Sequence, residues 1–246
     1  MPIGFLWIYL SIGRNQSGEI RLKMHSESIP RPPGRTARLV RNMIDRIILT
    51  FRRFHEACCR AFKRDDEYRG DRLPGEKAAS RFLVDNIHLL PKGRALDIAA
   101  GEGRNSVFLA QHGFKVEAID ISEAGLEKAK KLAQEKGVEV TIIETDLETY
   151  QIKEKAYNLI ANFNYLQRGL IPQIKKGLKK GGAVIFETYL IDQRNLPFGP
   201  KNPDYLLEHN ELLGFFKGFR IILYREGVYS KKGREKAIAS IIAVKQ

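Results

Sequence analysis

Residues 94–106 read RALDIAAGEGRNS. Ala95, Leu96, Ile98 and Ala99 make a short apolar strand, Asp97 stands at its end, and Gly101 and Gly103 let the backbone turn sharply against a ligand. Arg104 and Asn105 then open a helix whose free N–H groups favour electron-rich ligand atoms. A carboxylate ahead of such a loop opposes a pyrophosphate and favours a cation, such as a sulfonium or an ammonium. This strand–turn–helix unit therefore predicts an α/β domain with a ligand loop for a positively charged small molecule.

Strand and helix patterns alternate downstream of it, as in a parallel sheet covered on both faces. Strands are expected near 115–119, 138–143, 157–161, 183–188, 219–226 and 235–244. Helices are expected at 76–90, 106–112, 122–136, 165–180 and 208–216. The last two strands flank Lys231-Lys232-Gly233 and predict a hairpin, which makes one edge strand antiparallel.

Ahead of this domain the chain changes character. Residues 3–12, IGFLWIYLSI, are apolar but far short of the roughly 20 residues that a membrane-spanning helix needs. Residues 1–34 are expected to lack regular structure, ending in IPRPPG. Residues 36–63 have helical periodicity, with Val40, Met43, Ile44, Ile47, Ile48, Phe51, Phe54, Cys58 and Phe62 recurring at helical spacing. The formal net charge is +13 over 246 residues, and residues 35–64 hold nine Lys/Arg against two Asp/Glu. Two readings of this helix stand: an ordinary packed helix with solvated arginines, or a basic amphipathic helix on an anionic membrane or RNA. With a linker to residue 75, the expected division is 1–34, 35–75 and a domain at 76–246.

The two cysteines, Cys58 and Cys59, are adjacent. They offer neither a disulfide framework nor spaced metal ligands, so no metal site is expected and a reduced, cytoplasmic setting is the default.

In an open α/β sheet, ligands bind beyond the carboxyl ends of the strands. Asp97, Asp120, Asp146 and Asn162 fall at such ends. Asp97 can offset an ammonium, with Ala99, Gly101, Gly103 and Asn105 shaping the loop. Asp120 can accept two ribose hydroxyls. Asp146 can accept an adenine amino group, with Ile121 and Leu147 flanking the ring. Tyr165, Arg168, Glu187 and Tyr189 come from the next two strand ends, where a second substrate would enter. Arg168 is expected to steer an anion, and Glu187 to act as a base or to orient a neighbour.

The segments ALDIAAGEGRNS, AIDIS, ETDLE, YNLIANFNYLQR and LKKGGAVIFETY together resemble the class I S-adenosylmethionine-dependent methyltransferases. GRNS, NYLQR, FETY and NPDYLLEHNELLGFF resemble, more narrowly, the tellurite-resistance methyltransferase group. The resemblance implies a Rossmann-like seven-stranded, mostly parallel sheet of order 3-2-1-4-5-7-6 with strand 7 antiparallel. It implies S-adenosylmethionine as cofactor, direct displacement of its methyl group, and binding roles for Asp97, Gly101, Gly103, Asp120, Asp146 and Asn162. A small-molecule acceptor is expected, since no separate RNA-reading module is seen. Ala99 departs from the pattern where the family often has a glycine, as does Asn158 where an aspartate is usual. Two alternatives are an NAD(P)-binding oxidoreductase, disfavoured by Asp97 and by Ser106 at the third glycine position of G-x-G-x-x-G, and a non-catalytic S-adenosylmethionine-binding module.

Overall fold

The computed structural model describes residues 9–14, 20–25, 46, 78–231 and 234–246. The chain divides into two units, Met1–His55 and Glu56–Gln246. In the first, β1 (Tyr9–Arg14) pairs antiparallel with β2 (Ile20–His25), from Tyr9 opposite His25 to Arg14 opposite Ile20. The expectation of no regular structure across 1–34 is corrected here. The two strands bracket Asn15-Gln16-Ser17-Gly18-Glu19, a stretch rich in turn-forming residues. The expected helix over 36–63 falls outside the described residues except for Arg46, which is helical and exposed.

The second unit is built on one seven-stranded sheet. Its elements are α1 (Arg81–Asn86), β3 (Arg94–Ile98), α2 (Arg104–Gln111), β4 (Lys115–Asp120), α3 (Glu123–Glu135), β5 (Val140–Glu144) and β6 (Tyr157–Phe163). They continue with α4 (Ile171–Gly177), β7 (Leu178–Tyr189), α5 (Glu211–Phe215), β8 (Arg220–Lys231) and β9 (Arg234–Val244). The order is β5-β4-β3-β6-β7-β9-β8. Counted within this unit, that is 3-2-1-4-5-7-6. β9 runs antiparallel to β7 and to β8, and the other pairings are parallel.

The near-continuous apolar runs of the central strands follow from burial on both faces. One face carries Leu96, Ile98, Ile160, Val184 and Phe186, packed with Ile174, Leu212 and Phe216. The other carries Ala95, Leu159, Ala161, Ala183, Ile185 and Ile242 under Phe82, Leu83 and Leu109. Near the amino ends, the Glu117 carboxylate accepts the Tyr157 hydroxyl at 2.8 Å and Arg94 Nε at 2.6 Å. Burial, then this bond, pushes the Tyr157 phenol above its ordinary range.

The helix expected at 165–180 is shorter. A 3-10 turn at Arg168–Leu170 leads into α4, and Leu178 already pairs with Tyr157. Its apolar spacing continues into the strand, so periodicity alone could not place the boundary. Among the described residues, no helix is long and apolar enough to cross a membrane.

Candidate functional site

The loop between β3 and α2 is drawn together by its own backbone and by the next strand. Ala100 N donates to Ile119 O at 2.9 Å, and Gly103 N to Ala100 O at 3.0 Å. Three alternate residues, Ala99, Gly101 and Gly103, have φ of 54°, 54° and 73°. Glycine takes this left-handed region without strain, whereas Ala99 bears a Cβ there, at a cost of about 1 kcal/mol. Gly103 has a second constraint that differs from the expected one. A Cβ on it would lie 2.4 Å from that of Ala129, so its lack of a side chain lets α2 start against α3.

Asp120 anchors the loop. Its Oδ2 accepts Gly101 N at 2.8 Å and its Oδ1 accepts Ser122 N at 3.0 Å. An ionised carboxylate has about four lone-pair sites, so each oxygen keeps capacity for a ligand hydroxyl. Asp97 lies beneath the loop, 1% exposed, and accepts the Ser106 hydroxyl at 2.6 Å. Burial pushes its carboxyl up to about 7, against the lowering effects of the Ser106 bond and the Arg104 charge; Asp120 adds a smaller upward push. Ser106, which stands where a dinucleotide loop would have its third glycine, is thus the partner of the buried acid.

Asn162, the penultimate residue of β6, lies on the opposite face from Asp97, in register with Ile98 and Phe186. It is 2% exposed, and its Nδ2 donates to Tyr165 O at 3.0 Å. Its Oδ1 is the one buried side-chain oxygen or nitrogen without a partner among the described residues. Such an orphan acceptor in a native fold calls for a donor from outside the chain. Asp146 is half-buried, and its Oδ1 accepts Glu148 N at 2.9 Å in an Asx turn. Ile121 is half-buried beside Asp120, and Leu147 is buried against the core. Asn105 is also committed: its Oδ1 accepts Ser80 N at 2.8 Å, fixing the chain ahead of α1 to the start of α2.

The four residues expected on the acceptor side separate. Tyr165 stays beside Asn162, its hydroxyl donating to Gln167 Oε1 at 2.6 Å. Arg168 does not face an open site. Its Nε and Nη2 clasp the two Glu211 oxygens at 2.6 and 2.9 Å, and it donates to Asp204 O and Leu206 O at 3.1 and 2.9 Å. It holds the long loop after β7 against the turn before α4, and its expected anion-steering role is corrected to a structural one. In Glu211, burial raises the carboxyl's affinity for a proton, but Arg168 and the Glu208 N–H outweigh it and leave the pKa below the usual value.

Glu187 is in register with Phe163 at the end of β6, on the face that carries Asp97, Ala161 and Ile185. Tyr189 lies one pleat further on, with the Lys236 ammonium 5.8 Å from its ring. The Glu187 carboxylate accepts Ser240 Oγ at 2.7 Å, Ser80 Oγ at 3.2 Å and Arg225 Nη2 at 3.4 Å. Three donors hold it as an orienting group rather than leaving it as a free base. Asn158, at the other end of the sheet, accepts Arg94 N at 3.2 Å, so the amide does a backbone-bracing job there.

Sequence reading missed Ser80, Arg225 and Ser240. The one signal was Ser240 itself, a lone polar side chain in the buried run AIASIIAV, where it needs a partner. Among the described residues, no three His, Cys, Asp or Glu side chains are arranged to hold a metal.

Comparison with known proteins fits this geometry. Residues 95–182 match a family described as "Methyltransferase domain". The sarcosine/dimethylglycine N-methyltransferase of Aphanothece halophytica is 26% identical over 141 residues, 54% of this chain and 50% of that one. The probable S-adenosyl-L-methionine-dependent methyltransferase TehB of Haemophilus influenzae is 24% identical over 156 residues, 59% of this chain and 52% of that one. The chain therefore spans about half the length of these curated relatives. The crystal structure of H. influenzae TehB superposes with a TM-score of 0.58 at 20% identity, covering 67% of this chain and 61% of that one. The family match identifies residues 95–182 as a methyltransferase domain that resembles the S-adenosylmethionine-dependent TehB, and the sheet around them shares the TehB fold.

Proposed function

We propose that this chain transfers a methyl group from S-adenosylmethionine to a small-molecule acceptor. The observation that carries the reading is the joint placement of two acids and an orphan acceptor around one glycine loop. Asp97 is a buried carboxyl suited, once ionised, to an ammonium, Asp120 retains lone pairs for ribose hydroxyls, and Asn162 Oδ1 lacks a donor among the described residues. Asp146 would take the adenine amino group.

When bound, S-adenosylmethionine supplies a methyl group on a sulfonium, and the carbon–sulfur bond breaks as the acceptor's lone pair forms the new one. The protein's part is to hold both reactants in line and keep water out, which can supply much of the acceleration. Asp97 and Asp120 belong to binding. No side chain is assigned as a general base, since Glu187 is held by three donors. A thiolate or oxyanion acceptor would need no such base.

A buried carboxylate under the loop also argues against a dinucleotide, whose pyrophosphate it would repel. The acceptors in the name of one relative, sarcosine and dimethylglycine, support a small acceptor rather than RNA. A cytoplasmic setting belongs to the same reading, supported by the absence of spaced cysteines in the sequence. The test is calorimetric titration with S-adenosylmethionine. The wild type binds, and Asp120→Ala weakens binding at least tenfold, about 1.4 kcal/mol. Unchanged affinity would remove Asp120 from the site, and binding of NADH in place of S-adenosylmethionine would favour the oxidoreductase. Binding without turnover of any acceptor would favour a non-catalytic module.

A further inference from the structure

Arg225 is a cation that the binding of S-adenosylmethionine does not use. It sits on β8, across Ser240 of β9 from Glu187 of β7, in one continuous cross-strand row. That row ends in Phe163, the last residue of β6, and lies one pleat beyond the row of Asp97, Ala161 and Ile185 on the same face. The row therefore runs along the carboxyl rim, on the side of the sheet where the buried acid of the cofactor loop sits. A chain of contacts joins the two. Arg225 meets Glu187, Glu187 accepts from Ser80 Oγ, and Ser80 N donates to Asn105 at the start of α2.

The guanidinium is held but not used up. Its carbon lies 4.9 Å from the Phe82 ring centroid and 5.0 Å from that of Tyr229, so aromatic surfaces flank it and fix its plane. Nε reaches Ser240 Oγ and Nη2 reaches Glu187 Oε2, both at 3.4 Å, the outer limit of a hydrogen bond. Glu187 takes closer hydroxyl donors on both oxygens, Ser240 on one and Ser80 on the other. Both Nη1 protons and the second Nη2 proton have no partner among the described residues. The side chain is 40% exposed, so it is accessible to a ligand. A fixed guanidinium edge with parallel N–H donors fits a carboxylate in two-point fashion.

We infer that Arg225 recognises the acceptor through a carboxylate, so that the methyl acceptor is an acidic small molecule. The inference rests on the methyltransferase reading and gives Arg225 the anion-binding role expected of Arg168. Glu187 and Ser240 act as positioning residues that set the guanidinium's orientation.

The test pairs acids with their amides on three nucleophiles: 4-hydroxybenzoate with 4-hydroxybenzamide, thioglycolate with 2-mercaptoacetamide, and N-methylglycine with N-methylglycinamide. Formation of S-adenosylhomocysteine is followed with wild type, Arg225→Met and Arg225→Lys, after calorimetry has established S-adenosylmethionine affinity for each. In whichever pair reacts, the wild type prefers the acid at least tenfold in kcat/KM. Arg225→Met brings the ratio to about one through KM, with cofactor affinity unchanged, and Arg225→Lys restores part of it. An amide used as well as its acid overturns the inference. So does a preference that survives Arg225→Met, or a wild type that binds the cofactor and turns over none of the three acids. Failure of the wild type to bind S-adenosylmethionine is a separate result: it rejects the methyltransferase reading, and the inference falls with it.

Discussion

Replacing Asp97 with asparagine should stabilise the protein and disable it, with a pH signature that only a buried acid produces. The Asp97 carboxyl, ordinarily near 3.8, is raised by burial to about 7. The folded state therefore binds a proton more tightly than the unfolded chain between those pH values, and folding free energy is lost as pH rises through the window. Below the unfolded value both states are protonated and nothing is lost. Above about 7 the full loss is reached, about 4 kcal/mol at 1.36 kcal/mol per unit. At pH 5 the loss is only about 1.6 kcal/mol on the same scale. Asparagine keeps an oxygen to accept the Ser106 hydroxyl and carries no charge. Asp97→Asn should thus gain more at pH 8 than at pH 5, by nearly 3 kcal/mol, or roughly 6–10 °C of Tm in a domain of this size. Scanning calorimetry at the two pH values, without ligand, measures it. In the wild type, S-adenosylmethionine should weaken roughly 25-fold between pH 7.5 and pH 5.5, because the cation requires the ionised carboxylate. An equal gain for Asp97→Asn at both pH values, or a loss at pH 8, would refute the account of a charge held unfavourably for the sake of its ligand.

Arg168→Ala removes the clasp on Glu211 and two carbonyl contacts, leaving Glu211 with only the Glu208 N–H. Both side chains are partly exposed, so the expected loss is about 1–2 kcal/mol in urea unfolding, with the preference between acid and amide acceptors intact. Ala99→Gly relieves a left-handed backbone bearing a Cβ, but adds freedom to the unfolded chain. The net change should be within about 1 kcal/mol and not destabilising by more than a few tenths, read from the same unfolding curves.

The strands were legible because local signals repeat along the chain, whereas their order in the sheet was implied by the family resemblance and not by any local pattern. Each parallel strand is a short apolar run closed by an acid or amide, and each crossover helix is bounded by a serine or glycine, as with Ser122, whose hydroxyl accepts Gly125 N at 3.0 Å. Asp97, Asp120 and Asn162 were legible for the same reason: a strand end is a local feature, and three of them meet at one rim. Boundaries fared worse where a pattern changed meaning without a break. The apolar positions of α4 pass directly into β7, and Leu178 joins the sheet although its spacing continues the helix.

Arginine roles were the least legible, and the reason is distance along the chain. The residues that decide what Arg168 does lie 36 to 43 positions away, in a loop whose path no local pattern specifies. Arg225 is 38 positions from Glu187, and Phe82 comes from the other end of the domain. A guanidinium's function is set by how many of its five N–H groups the fold consumes. Arg168 gives Nε, Nη1 and Nη2 to the protein and is finished as a structural clasp, while Arg225 gives two groups at the limit of hydrogen-bond length and keeps an edge for a ligand. That difference turns on packing alone. Arg168, which the sequence singled out, and Arg225, which it did not, thus part company once β8 is placed at the edge of the sheet, and the acidic acceptor is inferred from the one left unspent.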